Sequence, residues 1–127
     1  MDKQTPRILA VDDSASQVKL ITKILGGKCG YEVVTADSGH AAWDYLTGSG
    51  LTSEGKVDLV ITDHDMPNGN GSELVERIRA DDRFEGLPVL MASGKPENRD
   101  TPGLNDFLYK PYGLRVLIDT VKKYFPD

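Results

Sequence analysis

The stretch VDLVITDHDMPNGNG, residues 57–71, joins an apolar run to two carboxylates and a loop of asparagine and glycine. Its first part, VDLVI (57–61), is predicted to be a strand, because Val, Leu and Ile are typical of strands that a parallel sheet buries on both faces. Asp63 follows this run closely, and Asp65 comes two residues later. Two acids at the end of a buried strand need a partner that offsets their charge.

The same kind of apolar run recurs along the chain. Four more strands are predicted, at RILAV (7–11), YEVVTA (31–36), LPVLMA (87–92) and NDFLY (105–109). The spacing of apolar residues also predicts four helices: one from Ser14 to a stop at Gly26-Gly27, one at 38–46, one capped by Ser72, and one at 114–125. Strands that alternate with helices predict an α/β fold, doubly wound around a parallel sheet.

Length and composition are those of one soluble domain. The chain has 127 residues, of which 39% are hydrophobic, and a net charge of −5. No apolar run approaches the ~20 residues that a membrane span needs, and the start of the chain lacks the apolar region of a secretory signal. Cys29 is the only cysteine, which excludes an internal disulfide and favours a cytoplasmic location. The acidic balance argues against direct binding to nucleic acid or to an anionic membrane.

Polar residues follow four of the predicted strands. In a doubly wound sheet the carboxyl ends of the strands share one edge, where such folds bind their ligands. The residues at that edge are Asp12, Asp13, Asp63, Asp65, Ser93, Gly94, Lys110 and Pro111. Each alone is typical of a helix cap, a turn or a solvated surface. Those interpretations do not explain why four acids, a hydroxyl and a lysine share one edge.

The charges at this edge of the sheet limit which ligands and which reactions the site can support. Neighbouring carboxylates raise one another's pKa unless a cation lies among them, and a few carboxylates with other oxygen ligands are typical of Mg²⁺. His40 and His64 are the only histidines, and their spacing does not indicate a zinc site. A lysine suits a phosphoryl oxygen, and a carboxylate can act as a nucleophile and form an aspartyl phosphate. These features predict phosphoryl transfer onto an aspartate.

Four segments resemble, in order, the receiver domain of two-component response regulators: ILAVDDS (8–14), ITDHDMPNGNG (61–71), PVLMASG (88–94) and GLNDFLYKPY (103–112). The resemblance covers essentially the whole chain, so we expect a single receiver domain over residues 1–127. It implies a flavodoxin-like fold, with a five-stranded parallel sheet in the order 2-1-3-4-5. It also implies a switch that catalyses only its own phosphorylation and dephosphorylation, and is not otherwise an enzyme.

The resemblance assigns the acids at the sheet edge to two tasks. Asp63 would be the phosphoacceptor. Asp13 and Asp63 would bind Mg²⁺ through their carboxylates, and Asp65 would offer its backbone carbonyl. Asp12 would contribute to the acidic pocket, commonly through a water bound to the metal.

The resemblance also gives roles to residues of the fourth and fifth strands. Ser93 would form a hydrogen bond with one phosphoryl oxygen, and Lys110 would pair with another. Phe107 is at the position of the family's switching aromatic residue, and the Lys110-Pro111 bond is expected to be cis. The phosphoryl donor would be a sensor histidine kinase or a histidine phosphotransfer protein, and the sequence does not name the downstream target.

The segment between Ser93 and Lys110 is shorter than the family usually has. GKPENRDTPG (94–103) contains two prolines and two glycines and shows no apolar periodicity. Pro96 suits the first position of a short turn and Pro102 would end it. We therefore predict that the family's fourth helix is shortened or missing. The dimer that the family commonly forms through this face is then in doubt, and the output surface must differ.

Two alternatives stay open at this point. Haloacid-dehalogenase-type phosphatases also carry Asp-x-Asp after a strand, but Pro67 stands where that family has threonine or valine. A pseudo-receiver would keep the fold and serve as an interaction module without phosphorylation. The chain is either a stand-alone receiver or a piece of a larger regulator or hybrid kinase.

Overall fold

The computed structural model describes residues 5–126; residues 1–4 and 127, which belong to the expected domain, lie outside this range. Five strands form one sheet in the order β2-β1-β3-β4-β5, and every neighbouring pair is parallel. They are β1 (Arg7–Val11), β2 (Glu32–Ala36), β3 (Leu59–Asp63), β4 (Val89–Ser93) and β5 (Asp106–Tyr109). The predicted doubly wound sheet and its strand order are confirmed.

Helices cover both faces of the sheet. They are α1 (Ala15–Ile21), which continues as a wider π-helical segment (Thr22–Lys28), α2 (Gly39–Thr47), α3 (Gly71–Arg79) and α4 (Leu114–Lys122). One core cluster lies between the sheet and the helices α1 and α4, and the other lies under α2 and α3. Among residues 5–126, no helix has the length and apolar character that crossing a bilayer requires.

Three predicted helix ends are wrong, and one is that of the last helix, which ends at Lys122 rather than at residue 125. The first helix does not stop at Gly26-Gly27 but runs on to Lys28, and the chain turns at Gly30, whose φ of 79° favours glycine. The amide of Gly30 donates to the Gly26 carbonyl (3.1 Å), which closes the helix end. The helix therefore continues through Gly26 and Gly27, and it ends only where Gly30 takes up a positive φ.

The cap of α3 is Asn70, and the prediction of Ser72 is wrong. Asn70 Oδ1 accepts from the Glu73 amide (2.9 Å), and Glu73 Oε1 accepts from the Asn70 amide (3.2 Å). These two bonds form a reciprocal capping box. Ser72 lies inside the first turn, where its hydroxyl is 3.4 Å from that of Thr101.

The predicted loss of the family's fourth helix is confirmed. Only a five-residue 3₁₀ turn, Pro96–Asp100, lies between β4 and β5. Arg79, at the end of α3, holds the chain beyond this turn: its Nε donates to the Gly103 carbonyl (2.9 Å) and its Nη2 donates to Asn105 Oδ1 (2.7 Å). Asn105 Oδ1 also accepts from the amide of Val89, the first residue of β4. The side chain of Arg79 thus holds the connection between β4 and β5 in position, although no regular helix packs there.

Gly71 allows the loop after β3 to return closely to the strand end. A Cβ atom at this position would lie 2.5 Å from the backbone oxygen of Asp63 and 3.2 Å from Met91 Cε. The amide of Gly71 donates to the His64 carbonyl (2.9 Å), which closes the loop. The glycine at the eighth position after Asp63 is therefore required by space, and it fixes where α3 begins.

Gly71→Ala should lower the free energy of unfolding by about 1–3 kcal/mol, the usual cost of extra volume at a packed position. Gly27→Ala is the matched control, because nothing lies within 4 Å of a Cβ atom there; its stability should change by no more than about 1 kcal/mol. Urea unfolding measures both variants. Equal stabilities would contradict the steric argument.

Candidate functional site

Three carboxylates converge at the carboxyl edge of the sheet. Asp12 and Asp13 lie between β1 and α1, and Asp63 is the last residue of β3. Each can place one carboxylate oxygen within 4.8 Å of the other two. Asp12 is only 4% exposed, whereas Asp13 is exposed and Asp63 is intermediate. Parallel pairing of β1 with β3 brings these residues together from distant parts of the sequence.

Lys110 reaches this cluster from the end of β5. Its Nζ donates to Asp63 Oδ1 (2.9 Å) and lies 3.5 Å from Asp12 Oδ2. Its backbone amide donates to the Ser93 carbonyl (2.9 Å), and the bond to Pro111 is cis, as expected. Burial alone would lower the pKa of Lys110, but the hydrogen bond and charge of Asp63, with the charge of Asp12, outweigh it and raise that pKa. The lysine therefore stays charged.

Asp12 is the carboxylate of this cluster whose ionised form the surroundings disfavour. Burial raises its pKa, and the charge of Asp63 adds to the increase. A hydrogen bond from the Ser14 amide (2.9 Å) and the charge of Lys110 oppose the increase without cancelling it. The contact with Lys110 therefore does not offset the burial of the Asp12 carboxylate, and a cation bound at the cluster would favour its ionised form.

The side chain of Asp65 turns away from the cluster. Its Oδ1 is 2.9 Å from His64 Nδ1, and its Oδ2 is 3.4 Å from Lys95 Nζ. The hydrogen bond with His64, followed by the contacts with Lys95, lowers the pKa of Asp65. The two acids after β3 are therefore not equivalent. The role expected for the backbone carbonyl of Asp65 stays a prediction.

Ser93 is buried at the end of β4 and is already hydrogen-bonded. Its Oγ accepts from the Lys95 amide (3.0 Å) and from Asn98 Nδ2 (2.9 Å). Sequence reasoning named Ser93 but missed Asn98 and Lys95. Their closeness in sequence to Ser93 was the available signal, because Ser side chains commonly bond backbone groups a few residues away.

Phe107 lies apart from the carboxylates, on the side of the sheet that α2 and α3 cover. Its half-buried ring packs against that core cluster and meets the ring of Tyr109 edge to face, with centroids 5.0 Å apart. The guanidinium of Arg99 lies 6.0 Å from the Tyr109 ring centroid. Phe107 is thus next to the shortened segment, and its role as a switch stays a prediction.

The arrangement as a whole suits transfer of a phosphoryl group to a carboxylate. A set of carboxylate oxygens with no neutral nitrogen or sulfur ligand is the donor set of a hard divalent ion. The ammonium group next to Asp63 adds a fixed positive charge, which suits a phosphoryl oxygen. The expected residues Asp12, Asp13, Asp63 and Lys110 are together, and Ser93 is one residue beyond Ala92, the partner of Asp63 in the ladder.

Known proteins share this fold and this sequence pattern. The sequence model of the family described as "Response regulator receiver domain" matches residues 8–122. The chemotaxis protein CheY1 of Helicobacter pylori (strain J99) is 36% identical over 117 residues, which cover 87% of this chain and 90% of that protein. This chain therefore belongs to the response regulator receiver domain family of two-component signalling.

Two solved structures are similar over nearly their whole length. The chemotaxis response regulator CheY4 of Vibrio cholerae has a TM-score of 0.83 and 27% identity, covering 95% of this chain and 99% of that one. The response regulator TrrA of Thermotoga maritima, solved in complex with Mg²⁺-BeF, has a TM-score of 0.81 and 27% identity, covering 94% and 99%. Members of this family are signalling switches rather than classical enzymes, so the phosphatase alternative no longer applies.

Replacing the buried carboxylate should stabilise the protein in the absence of divalent metal. Since the folded-state pKa of Asp12 is raised from 3.8, its ionised form destabilises the fold above that pKa. Asp12→Asn should therefore raise the melting temperature at pH 7 in EDTA, and the gain should shrink as the pH falls towards 3.8. Asp13→Asn, at the exposed member of the cluster, is the control and should change it little. A lower melting temperature for Asp12→Asn at pH 7 would contradict this electrostatic account.

Proposed function

We propose that this domain accepts a phosphoryl group on Asp63 from a sensor histidine kinase or a histidine phosphotransfer protein. The observation that carries the proposal is the contact between Lys110 Nζ and Asp63 Oδ1, at 2.9 Å, beside the carboxylates of Asp12 and Asp13. This contact supports the proposal because it brings a fixed positive charge to the carboxylate that would act as the nucleophile, next to the carboxylates that would hold a metal ion.

The transfer makes one bond and breaks one. A carboxylate oxygen of Asp63 attacks phosphorus, and the bond between phosphorus and the donor imidazole nitrogen breaks, with its electron pair returning to that nitrogen. The product is an acyl phosphate on Asp63. Lys110 offsets negative charge on the oxygens of the transferred group, and Ser93 donates a hydrogen bond to one of them.

The acidic cluster fits Mg²⁺. Asp12, Asp13 and Asp63 would hold the ion, with Asp12 acting through water and Asp65 adding its backbone carbonyl. When bound, the ion supplies positive charge that neutralises the phosphoryl oxygens. The Mg²⁺-BeF complex of the Thermotoga maritima regulator supports this assignment by analogy.

The phosphorylated domain would act as a conformational switch. Phosphorylation adds charge and acceptor oxygens at the end of β3, and a bond from Ser93 would draw the end of β4 towards them. Phe107 is the aromatic residue on the neighbouring strand that would respond, since Met91 of β4 pairs with it. The output surface would then include the short turn Pro96–Asp100 rather than a regular helix.

Phosphorylation of Asp63 is tested with a small donor. Incubation of the purified chain with acetyl phosphate and Mg²⁺ should add the mass of one phosphate, which intact-mass spectrometry detects. Asp63→Asn should remove the increase because the nucleophile is gone, and EDTA should suppress it in the unchanged protein. A pseudo-receiver would show no increase under any of these conditions, and that result would overturn the proposal.

A groove that reaches Lys110, the lysine in contact with Asp63, suits the protein that would donate the phosphoryl group. It measures about 1110 Å³, lies between α1 and the start of α4, and extends to Lys110. Leu20 and Leu114 line it and are 49% and 46% exposed. Lys23 and Lys28 also line it. A donor surface with apolar residues and acids would complement this groove and bring its histidine to Asp63.

Leu20→Glu should slow transfer from a histidine phosphotransfer protein that phosphorylates the unchanged chain, by about tenfold or more, as for loss of a central apolar contact. Leu51→Glu is the matched control, because Leu51 is 45% exposed and lies before β3, at the opposite end of the sheet. Neither change should alter phosphorylation by acetyl phosphate. Equal transfer rates in the two variants would exclude this groove as the docking surface.

A further inference from the structure

The hydroxyl of Ser93 has only one hydrogen-bonding role left. A serine oxygen can accept two hydrogen bonds, and the hydroxyl can donate one. Both acceptor positions are taken, by the Lys95 amide (3.0 Å) and by Asn98 Nδ2 (2.9 Å). The remaining role is that of a donor. This is the role that a phosphoryl oxygen, which only accepts, would require.

The turn that carries Asn98 is held closed by its own bonds. The amide of Asn98 donates to the Lys95 carbonyl (3.1 Å), which begins the turn. The Asn98 carbonyl accepts from the Thr101 amide (3.2 Å) and from Thr101 Oγ1 (2.7 Å), which ends it. Asn98 is thus fixed at both sides along the backbone, and its carboxamide reaches back to Ser93.

Ser93 is itself held beside the phosphoacceptor. It is 2% exposed and follows Ala92, which pairs with Asp63 in the parallel ladder. Its carbonyl accepts from the Lys110 amide (2.9 Å), so the serine and the lysine next to Asp63 are joined through the backbone. Before phosphorylation, the direction of the hydroxyl hydrogen is therefore the main freedom of the Ser93 side chain.

We propose that Asn98 is a positioning residue for phosphoryl transfer: by donating to Ser93 Oγ, it keeps the hydroxyl as a donor to the phosphoryl group on Asp63. The inference rests on the proposed function and adds a residue from the shortened segment to it. The contact is available because the five-residue turn after β4 stays close to the strand end. The short turn Pro96–Asp100, which replaces the family's fourth helix, would thus contribute a residue to the site.

The isosteric change Asn98→Asp reverses the hydrogen bond. A carboxylate at this position accepts the hydroxyl hydrogen of Ser93, so that hydrogen is no longer free for a phosphoryl oxygen. Phosphorylation by acetyl phosphate with Mg²⁺, followed by intact-mass spectrometry, should slow about tenfold or more, as expected when a charged group takes the bond. Asn98→Ala removes the bond without reversing it, and the rate should fall about two- to tenfold.

Ser93→Ala separates this effect from charge and from folding. In the Ser93→Ala background, both Asn98 variants should change the remaining rate by less than about twofold, because the hydroxyl through which they act is absent. A structural or purely electrostatic effect of Asn98→Asp would persist in that background. Melting temperatures of all variants show whether the fold is kept, and the two different substitutions keep the test valid if one of them does not fold.

The outcomes distinguish the two proposals. If the unchanged protein takes up no phosphate, the proposed function fails and this inference fails with it. If the unchanged protein is phosphorylated and both Asn98 variants match its rate, only the inference is overturned. An unaffected Asn98→Asp with a slower Asn98→Ala would mean that the amide oxygen faces Ser93, which also overturns it. Slower rates that require Ser93 support it.

Discussion

The rest of the site depends on the burial of a carboxylate, Asp12, beside two others at one edge of a parallel sheet. Asp12 is buried and its pKa is raised, although Lys110 lies within 3.5 Å of its carboxylate. The fold therefore keeps an uncompensated negative charge where burial is costly. Such a site is less stable than a neutral one, and the proposed binding of Mg²⁺ would offset part of that cost. The fold is therefore less stable at the position where the proposed function requires charge to bind Mg²⁺, which is common at functional sites.

Most of the fold could be predicted because its signals are local and repeated. The strands were placed within about two residues by their Val, Ile and Leu content, and the alternation with helices indicated the parallel sheet. Helix ends were less predictable. Gly26-Gly27 and Ser72 had the right residue types for an end and a cap, but Gly30 has the positive φ and Asn70 forms the reciprocal bonds. Backbone geometry, rather than composition, decides between neighbouring candidates.

The site was predictable to the extent that its residues end strands. Asp12, Asp13, Asp63, Ser93 and Lys110 all follow apolar runs, so their convergence follows from the topology. Asn98 lies in a segment without periodicity, and its closeness in sequence to Ser93 was only a weak signal that its side chain turns back to that residue. The ion pair of Asp65 with Lys95 was equally hidden, because it joins two loops that only the pairing of β3 with β4 brings together. Contacts between loops depend on how the strands place those loops in space, and residue types alone do not indicate this.

Arg79 has a mechanical consequence for the sheet. It binds Gly103 and Asn105, and Asn105 binds the first amide of β4, so α3, β4 and β5 are joined at the amino ends of the strands. Asp63, Ser93 and Lys110 lie at the opposite ends of their strands. The strands β4 and β5 are thus tied to α3 at the end of the sheet that lies away from the acidic cluster. The Lys110 amide also donates to the Ser93 carbonyl at the far end, so a shift of either strand end at the site would carry the other with it.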